Sequence, residues 1–228
     1  MSDPAYFTDN GHLLLTGVTG AQGDYLGESG QFGGKSALAT WWADNPGRSR
    51  DLVIFLNAKS DDVGAVLDDF DEVNRVGDIP DVMDRSGGRV ILTPVDGDWE
   101  AVSRRLESFV RALPQDMTKL VVLDEAPELD EDAVLSFVRV HGNGANCKTL
   151  VIAQSPTDIS TKIAKQCVPV WVGPMKNDYG SWFAVHDIKE AFDFISAAHA
   201  PYHWTVIIGK AAGEWHHYEP VPAKYGEV

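Results

Sequence analysis

The stretch that decides the fold is HLLLTGVTGAQGDYLGESGQFGGKSALATWW, residues 12–42. It begins with a short apolar strand candidate, His12–Thr16, passes through a loop rich in glycine, and ends in an apolar helix candidate, Lys35–Asp44. Backbone N–H groups of such a loop and of the following helix can surround a phosphate, which larger side chains would obstruct. The layout predicts a phosphate-binding loop in which Lys35 reaches the phosphates and Ser36 binds Mg²⁺.

The loop departs from the usual GxxxxGK[ST] pattern, because Ser29 stands where the first glycine is expected. Two alignments are open. In the first, residues 29–36 form the loop after a long approach from the strand. In the second, which we favour because strand and loop are normally adjacent, the loop starts after the strand and residues 21–33 are an insertion. The predicted nucleotide-binding residues are then Gly17, Thr19, Gly20, Gly33, Gly34, Lys35 and Ser36.

Adjacent acids follow a second apolar strand candidate, Lys119–Leu123. In P-loop hydrolases the first such carboxylate holds Mg²⁺ through water, and the second orients or deprotonates the attacking water. Acids at a strand end are often only solvated, but this pair follows a phosphate loop by about 90 residues. We therefore predict Asp124 as a metal ligand together with Ser36, and Glu125 as a catalytic residue.

A polar amide ends a third apolar strand candidate, Thr149–Ala153, one helix further along the chain. Gln154 is followed by Ser155-Pro156, so one interpretation is a glutamine that only begins a turn. At the carboxyl edge of a sheet, beside the strand that enters the phosphate loop, the same amide can contact the γ-phosphate or the attacking water. Gln154 is therefore our second predicted catalytic residue.

Short apolar strands alternate with amphipathic helices over most of the chain, which is typical of an α/β protein with a mostly parallel central sheet flanked by helices. Several strands are apolar at consecutive positions, as expected when both faces are covered. The other strand candidates are Leu52–Leu56, Arg89–Thr93 and Val168–Val172, and the other helix candidates are Asp61–Val73, Trp99–Leu113, Glu131–Val140 and Ser160–Gln166.

The last quarter of the chain is rich in aromatic residues and predicts a C-terminal extension at residues 174–219. A helix is expected at Ile188–His199, followed by a β-hairpin of Trp204–Ile208 and Glu214–Glu219 that extends the same sheet. Residues 220–228 are expected to be a flexible tail. We interpret residues 1–228 as a single domain whose core spans about residues 11–173.

The composition excludes several classes of protein. Hydrophobic residues make up 44% of the 228 residues, which is enough for a full core. No run approaches the roughly 18 apolar residues of a membrane-spanning helix, and no signal peptide is recognisable, so we expect a soluble, non-exported chain. Cys147 and Cys167 lie in no metal-ligand spacing.

The 34 acids against 19 bases, a net charge of −15, argue against nonspecific binding of nucleic acid and favour a high-salt cytoplasm.

The three strand ends in this order resemble the FtsK/HerA superfamily of DNA-pumping P-loop ATPases. The resemblance covers about residues 13–156 and rests on Lys35-Ser36, on Asp124-Glu125, and on Gln154 before Ser-Pro. The strand Leu52–Leu56 is similar to the family's second strand, which often ends in Asp-Pro-Lys, although Asn57 and Ala58 depart from that ending. The small size looks most like the genome-packaging ATPases of icosahedral viruses with an internal membrane, and the acidity suggests a haloarchaeal host.

This resemblance implies a RecA-like fold, ATP and Mg²⁺ as cofactors, and a ring of identical subunits, expected to be a hexamer, that moves double-stranded DNA into a preformed capsid. Viral capsid or portal and vertex proteins are the implied partners, and the virion and host cytoplasm the implied location. Two alternatives are open: a P-loop assembly protein that binds nucleotide without hydrolysing it, and a cellular or plasmid DNA-transfer ATPase.

Ring ATPases of this kind complete each site with an arginine from the neighbouring subunit. Arg139 is our candidate, because the family places an arginine near the end of the helix after the paired acids. The alternative is an arginine that only complements the helix dipole. Possible substitutes are Arg48, Arg50, Arg104 and Arg105.

Overall fold

The architecture is a nine-stranded sheet, counted over the residues that the computed structural model describes. These residues are 12–16, 35–45, 49–58, 63–83, 85, 87–95, 97–141, 146–172, 180–185, 204–207 and 215–218. The strands are β1 His12–Thr16, β2 Leu52–Leu56, β3 Asp71–Val73, β4 Arg89–Leu92, β5 Lys119–Leu123, β6 Cys147–Ala153, β7 Cys167–Val172, β8 Trp204–Ile207 and β9 Trp215–Tyr218. Their spatial order is β3-β4-β2-β5-β6-β1-β7-β8-β9.

Strands β1 to β7 are parallel, and β8 and β9 form an antiparallel hairpin at one edge. The predicted α/β class, the mostly parallel sheet and the closing hairpin are therefore confirmed. The α-helices are α1 Lys35–Asp44, α2 Ile79–Met83, α3 Trp99–Ala112, α4 Glu131–Ser136, α5 Thr161–Ala164 and α6 Gly180–Val185. Among these described helices none has both the length and the apolar character that crossing a bilayer requires.

Each face of the sheet has its own apolar core, because successive strand residues point to opposite sides. Helix α1 and the segment around Val63–Ala65 cover one side, which we call the α1 face. Helices α2 to α6 pack on the other side. Described strand residues on the α1 face are Leu13, Leu15, Val53, Phe55, Ile91, Leu120, Val122, Leu150, Ile152, Trp204 and Val206.

The helix predicted at Asp61–Val73 is wrong. Val63, Leu67 and Phe70 are buried at a spacing that imitates one face of a helix, but they are carried by the short 3₁₀ turn Val63–Ala65 and by turns. Asp71–Val73 is instead β3, which pairs with β4 at the edge of the sheet. Acidic side chains on an edge strand discourage further strand pairing, which explains their presence there.

Two other predicted helices differ from the structure in extent. The α-helix expected over Glu131–Val140 ends at Ser136 and continues as a wider π-helical turn, Phe137–His141. Helix α5 covers only the middle of the predicted Ser160–Gln166. Helix α6 was not predicted, and the helix predicted at Ile188–His199 lies outside the described residues, as does the tail at residues 220–228.

A close backbone contact holds the amino ends of β2, β4 and β5 together. Asp51 Oδ2 accepts hydrogen bonds from the Thr118 N–H and hydroxyl, each at 2.7 Å. These bonds favour the carboxylate and lower the pKa of Asp51 from its usual value. Gly88 lies against the same residue with φ +77°, and a Cβ atom there would be 2.0 Å from the Asp51 carbonyl oxygen. Only glycine fits this position.

We expect Gly88→Ala to lower the free energy of unfolding by about 2–4 kcal/mol, because it adds backbone strain and forces β2 and β4 apart. Urea unfolding measures the change. Gly87→Ala is the matched control, since Gly87 also has a positive φ, +58°, but no atom lies within 4 Å of its Cβ position. That variant should lose only about 1 kcal/mol. Equal losses in the two variants would contradict the steric explanation.

Candidate functional site

Three of the predicted site residues, Asp124, Glu125 and Gln154, lie where parallel strands end at one edge of the sheet. Strand β6 lies between β1 and β5, with Leu14 opposite Val151 on one side and Val122 opposite Leu150 on the other. The carboxyl ends of these three strands therefore lie side by side. In open α/β sheets ligands bind outside such carboxyl ends, so this edge is the candidate site.

Helix α1 begins at Lys35, whose side chain is only 3% exposed. The helix is held against the sheet by Leu38, Ala39 and Trp42, all buried on the α1 face. A lysine in the first turn of a packed helix has a fixed position relative to the strand ends. The predicted loop residues Gly17, Thr19, Gly20, Gly33 and Gly34 lie outside the described residues, so both loop alignments stay predictions.

The acid Asp124 and the amide Gln154 lie at strand ends on the α1 face. Leu120 and Val122 point to this face from β5, and two-residue alternation extends the same direction to Asp124. Alternation in β6 likewise leads from Ile152 to Gln154. Asp124 is 1% exposed, and its N–H donates to the Leu56 carbonyl oxygen at 3.2 Å, which anchors the end of β5 to β2. The side chains of Asp124 and Gln154 thus lie on the α1 face, the side of the sheet that helix α1 covers.

A direct hydrogen bond joins the two predicted catalytic residues. The Nε2 atom of Gln154 donates to Oε1 of Glu125 at 2.8 Å. Gln154 lies at the exposed surface, whereas Glu125 is only 7% exposed. The amide therefore fixes the direction of a nearly buried carboxylate. Sequence analysis assigned Gln154 to the γ-phosphate or the attacking water and did not predict this contact with Glu125.

The backbone at Glu125 is in the left-handed region, with φ 48° and ψ 49°. This conformation costs a residue with a Cβ atom about 1–2 kcal/mol. It turns the chain sharply out of β5 into the 3₁₀ turn Ala126–Glu128, closed by a 2.9 Å bond from the Glu128 N–H to the Glu125 carbonyl. Strain of this kind often accompanies functional sites. Here the sharp turn gives the side chains of the consecutive acids Asp124 and Glu125 directions that they would not have in an extended strand.

The turn after Gln154 is fixed by its own sequence. The Ser155 side chain accepts from the Thr157 N–H at 3.2 Å, and Asp158 Oδ2 accepts from the Ser155 N–H at 3.0 Å, so the two residues form a capping box. Pro156 is buried in the first position of this 3₁₀ turn. The turn that the alternative interpretation expected at Ser155-Pro156 therefore exists, and it directly follows Gln154.

The donor set fits Mg²⁺ bound together with a nucleotide. Mg²⁺ prefers oxygen ligands and usually takes one or two carboxylates plus substrate phosphates, not a complete protein cage. Asp124 has a carboxylate to offer, and Ser36, the second residue of α1, has a hydroxyl. Within the described part of the chain no group of three or more His, Cys, Asp or Glu residues could hold a metal by itself. A magnesium ion here would depend on phosphate.

The predicted arginine, Arg139, is not brought to this site within one subunit. It is exposed and lies in the π-helical turn Phe137–His141, on the connection that returns the chain from the end of β5 to the start of β6. Because β5 and β6 are parallel, this connection leads away from the carboxyl edge. The Ser136 hydroxyl donates to Glu107 Oε1 at 2.6 Å, which anchors the preceding helix to α3.

No protein-family profile matches the chain, and no curated protein sequence matches it. The chain is similar to the genome packaging NTPase B204 from Sulfolobus turreted icosahedral virus 2 in complex with ATP-gammaS. The identity is 13% and the TM-score 0.68, covering 94% of this chain and 100% of that one. It is also similar to VirB4 of Thermoanaerobacter pseudethanolicus, with 10% identity and a TM-score of 0.64, covering 95% of this chain and 92% of that one.

A second B204 structure, described as the DNA-packaging ATPase from Sulfolobus Turreted Icosahedral Virus, is similar at 10% identity and a TM-score of 0.66. The match covers 94% of this chain and 100% of that one. These likenesses show the fold. The chain has a RecA-like fold, and the fold that the resemblance implies is confirmed.

We expect Glu125→Gly to be more stable than Glu125→Ala by about 0.5–1 kcal/mol. Both variants lose the carboxylate and its bond to Gln154, so they differ only in the Cβ atom that the left-handed backbone disfavours. The larger entropy of unfolded glycine offsets part of the gain. Urea unfolding of the two variants measures the difference. At Glu128, exposed and without a positive φ, the order should reverse, and the same order at both positions would argue against strain at Glu125.

Proposed function

We propose that this chain is a magnesium-dependent ATPase that translocates double-stranded DNA and packages a viral genome. The observation that supports it best is the 2.8 Å hydrogen bond between Gln154 and Glu125, which follow the neighbouring strands β6 and β5. Strand β6 in turn lies beside β1, in a fold similar to that of a packaging NTPase. A nucleoside triphosphate bound at the start of α1 would face Gln154 and Glu125. The same fold in a protein described as a DNA-packaging ATPase supports the DNA part of the proposal.

Each residue has a defined role in the proposed reaction. Lys35 and the backbone N–H groups at the start of α1 bind the phosphates, which are attracted to a helix N-terminus. Ser36 and Asp124 hold Mg²⁺, which would neutralise charge on the transferring phosphoryl group. Glu125 orients the attacking water and accepts its proton. Gln154 keeps the Glu125 carboxylate in a single direction, so the base is aligned before water arrives.

The position of Arg139 supports a ring of subunits. An exposed arginine on the connection that leads away from its own site is available to a neighbouring subunit. In a ring the neighbour's site can receive it, and an arginine stabilises charge on a transferring phosphoryl group. We therefore propose that Arg139 acts in trans, in a homo-oligomer that we expect to be a hexamer.

The acidic composition supports a saline cytoplasm as the setting. At high salt, charge interactions are screened within a few ångströms, so an overall charge of −15 repels DNA only weakly. Packaging into a capsid would require contacts with capsid or portal proteins at the vertex. The proposed location is accordingly the virion and the host cytoplasm, with a haloarchaeon as host.

Glu125→Gln is expected to lower the turnover of magnesium-dependent ATP hydrolysis about 10²- to 10⁴-fold, because the amide cannot accept the proton of the attacking water. Phosphate release at high salt, with and without double-stranded DNA, measures it. Glu128→Gln is the matched control, an exposed acid three residues on in the same turn, and should keep full activity. Unchanged turnover in Glu125→Gln would overturn the catalytic assignment. Failure of the unaltered chain to hydrolyse ATP would favour the non-hydrolysing assembly protein.

Subunit mixing tests Arg139. We expect Arg139→Ala rings and Glu125→Gln rings each to be nearly inactive. Mixed rings should recover activity, because a site with its own Glu125 can then receive Arg139 from the neighbour. Arg105→Ala, an exposed arginine on α3, should remain active without mixing. If Arg139→Ala is active alone, or mixing recovers nothing, Arg139 is not the trans residue.

A further inference from the structure

A buried amide, Asn57, lies next to the candidate site, on the side away from Gln154. All five residues of β2 are apolar and buried, yet the following residue, Asn57, is polar and still only 2% exposed. Its N–H donates to the Leu92 carbonyl oxygen at 2.9 Å, so the backbone remains part of the sheet at this point. Burying an amide costs free energy unless the amide is engaged. A polar residue in this place therefore requires an explanation.

Parallel register places Asn57 beside Asp124. Leu56 of β2 pairs with Leu123 of β5. The residues that follow them, Asn57 and Asp124, are therefore neighbours as well. The bond from the Asp124 N–H to the Leu56 carbonyl, 3.2 Å, keeps the two strand ends together. The paired acids are thus flanked by Asn57 at the end of β2 and Gln154 at the end of β6.

Asn57 also lies on the correct face. Val53 and Phe55 point to the α1 face, and alternation carries Asn57 to the same side as Asp124. The polar row continues to the next strand, where Ile91 points to the α1 face and Thr93 follows two residues later. The Thr93 Oγ1 atom is buried without a hydrogen bond to any described group. A row of polar side chains on one face of a carboxyl edge indicates that the polar site continues past Asp124.

We infer that Asn57 is a positioning residue for Asp124, and this inference rests on the proposed ATPase function. Its amide donates to the Asp124 carboxylate and sets the direction in which that carboxylate meets the Mg²⁺ of the bound nucleotide. A neutral donor is suited to this task, because a third acid beside Asp124 and Glu125 would add like-charge repulsion. Partners that orient a metal ligand typically change metal affinity by 10- to 100-fold when removed.

The test compares Asn57→Thr with Asn57→Val in the full chain. The two residues have nearly the same shape, but only threonine has a hydroxyl that can donate. The probe is Mn²⁺, titrated into protein saturated with ATP-gammaS and followed by the EPR signal of the free ion. We expect the valine variant to bind Mn²⁺ about 10-fold more weakly than the threonine variant, with equal affinities for the nucleotide in the absence of metal.

Thr149→Val is the matched control, since Thr149 is a fully buried strand residue near the opposite, amino edge of the sheet. It should leave Mn²⁺ affinity unchanged, and urea unfolding should show that all variants are folded. Equal Mn²⁺ affinities in folded Asn57→Thr and Asn57→Val would overturn this inference alone while wild-type hydrolysis continues. If the unaltered chain does not bind ATP-gammaS, the proposed function fails, and this inference fails with it.

Discussion

The parallel pairing of β5, β6 and β1 is the constraint on which the rest of the structure depends. Because the three strands point the same way, their carboxyl ends, and the residues that follow them, must meet at one edge. The strand interiors are apolar on both faces, and each face is covered by helices, so a one-residue slip would move every side chain to the opposite core. Register is therefore strongly fixed. The contact between Gln154 and Glu125 is a consequence of that register.

The site combines these paired strand ends with one residue, Glu125, whose backbone is strained. The left-handed backbone of Glu125 is unfavourable by itself, and the surrounding contacts must stabilise it. The 3₁₀ turn closed by Glu128, the near-complete burial of the side chain and the bond from Gln154 all supply such contacts. The left-handed conformation at Glu125 points the adjacent acids Asp124 and Glu125 in different directions. Asp124 continues the alternation of β5 toward α1, whereas Glu125 leaves it and turns toward β6.

Elements whose sequence pattern has one interpretation were predicted with correct bounds. Strands β1, β2 and β5 and helix α1 are apolar runs that agree with the structure residue for residue. Asp61–Val73 was predicted wrongly because turns can bury Val63, Leu67 and Phe70 as effectively as a helix does. The three polar strand ends were visible in the sequence, but the bond between Gln154 and Glu125 was not, since it depends on which strands are neighbours. For the same reason the sequence did not single out Asn57, because its proximity to Asp124 depends on β2 lying beside β5.

Three of the described lysines add almost no positive charge to the surface. Lys35, Lys119 and Lys148 are each at most 3% exposed. Lys119 donates to the carbonyl oxygens of Pro114 and Met117 at 2.9 and 2.7 Å, and desolvation lowers its pKa. The Lys119 ammonium group is therefore engaged within the fold and is not offered to a phosphate backbone. DNA affinity of the proposed motor would therefore depend on the cations that are exposed, of which Lys162 and Lys165 follow Gln154 on the same connection.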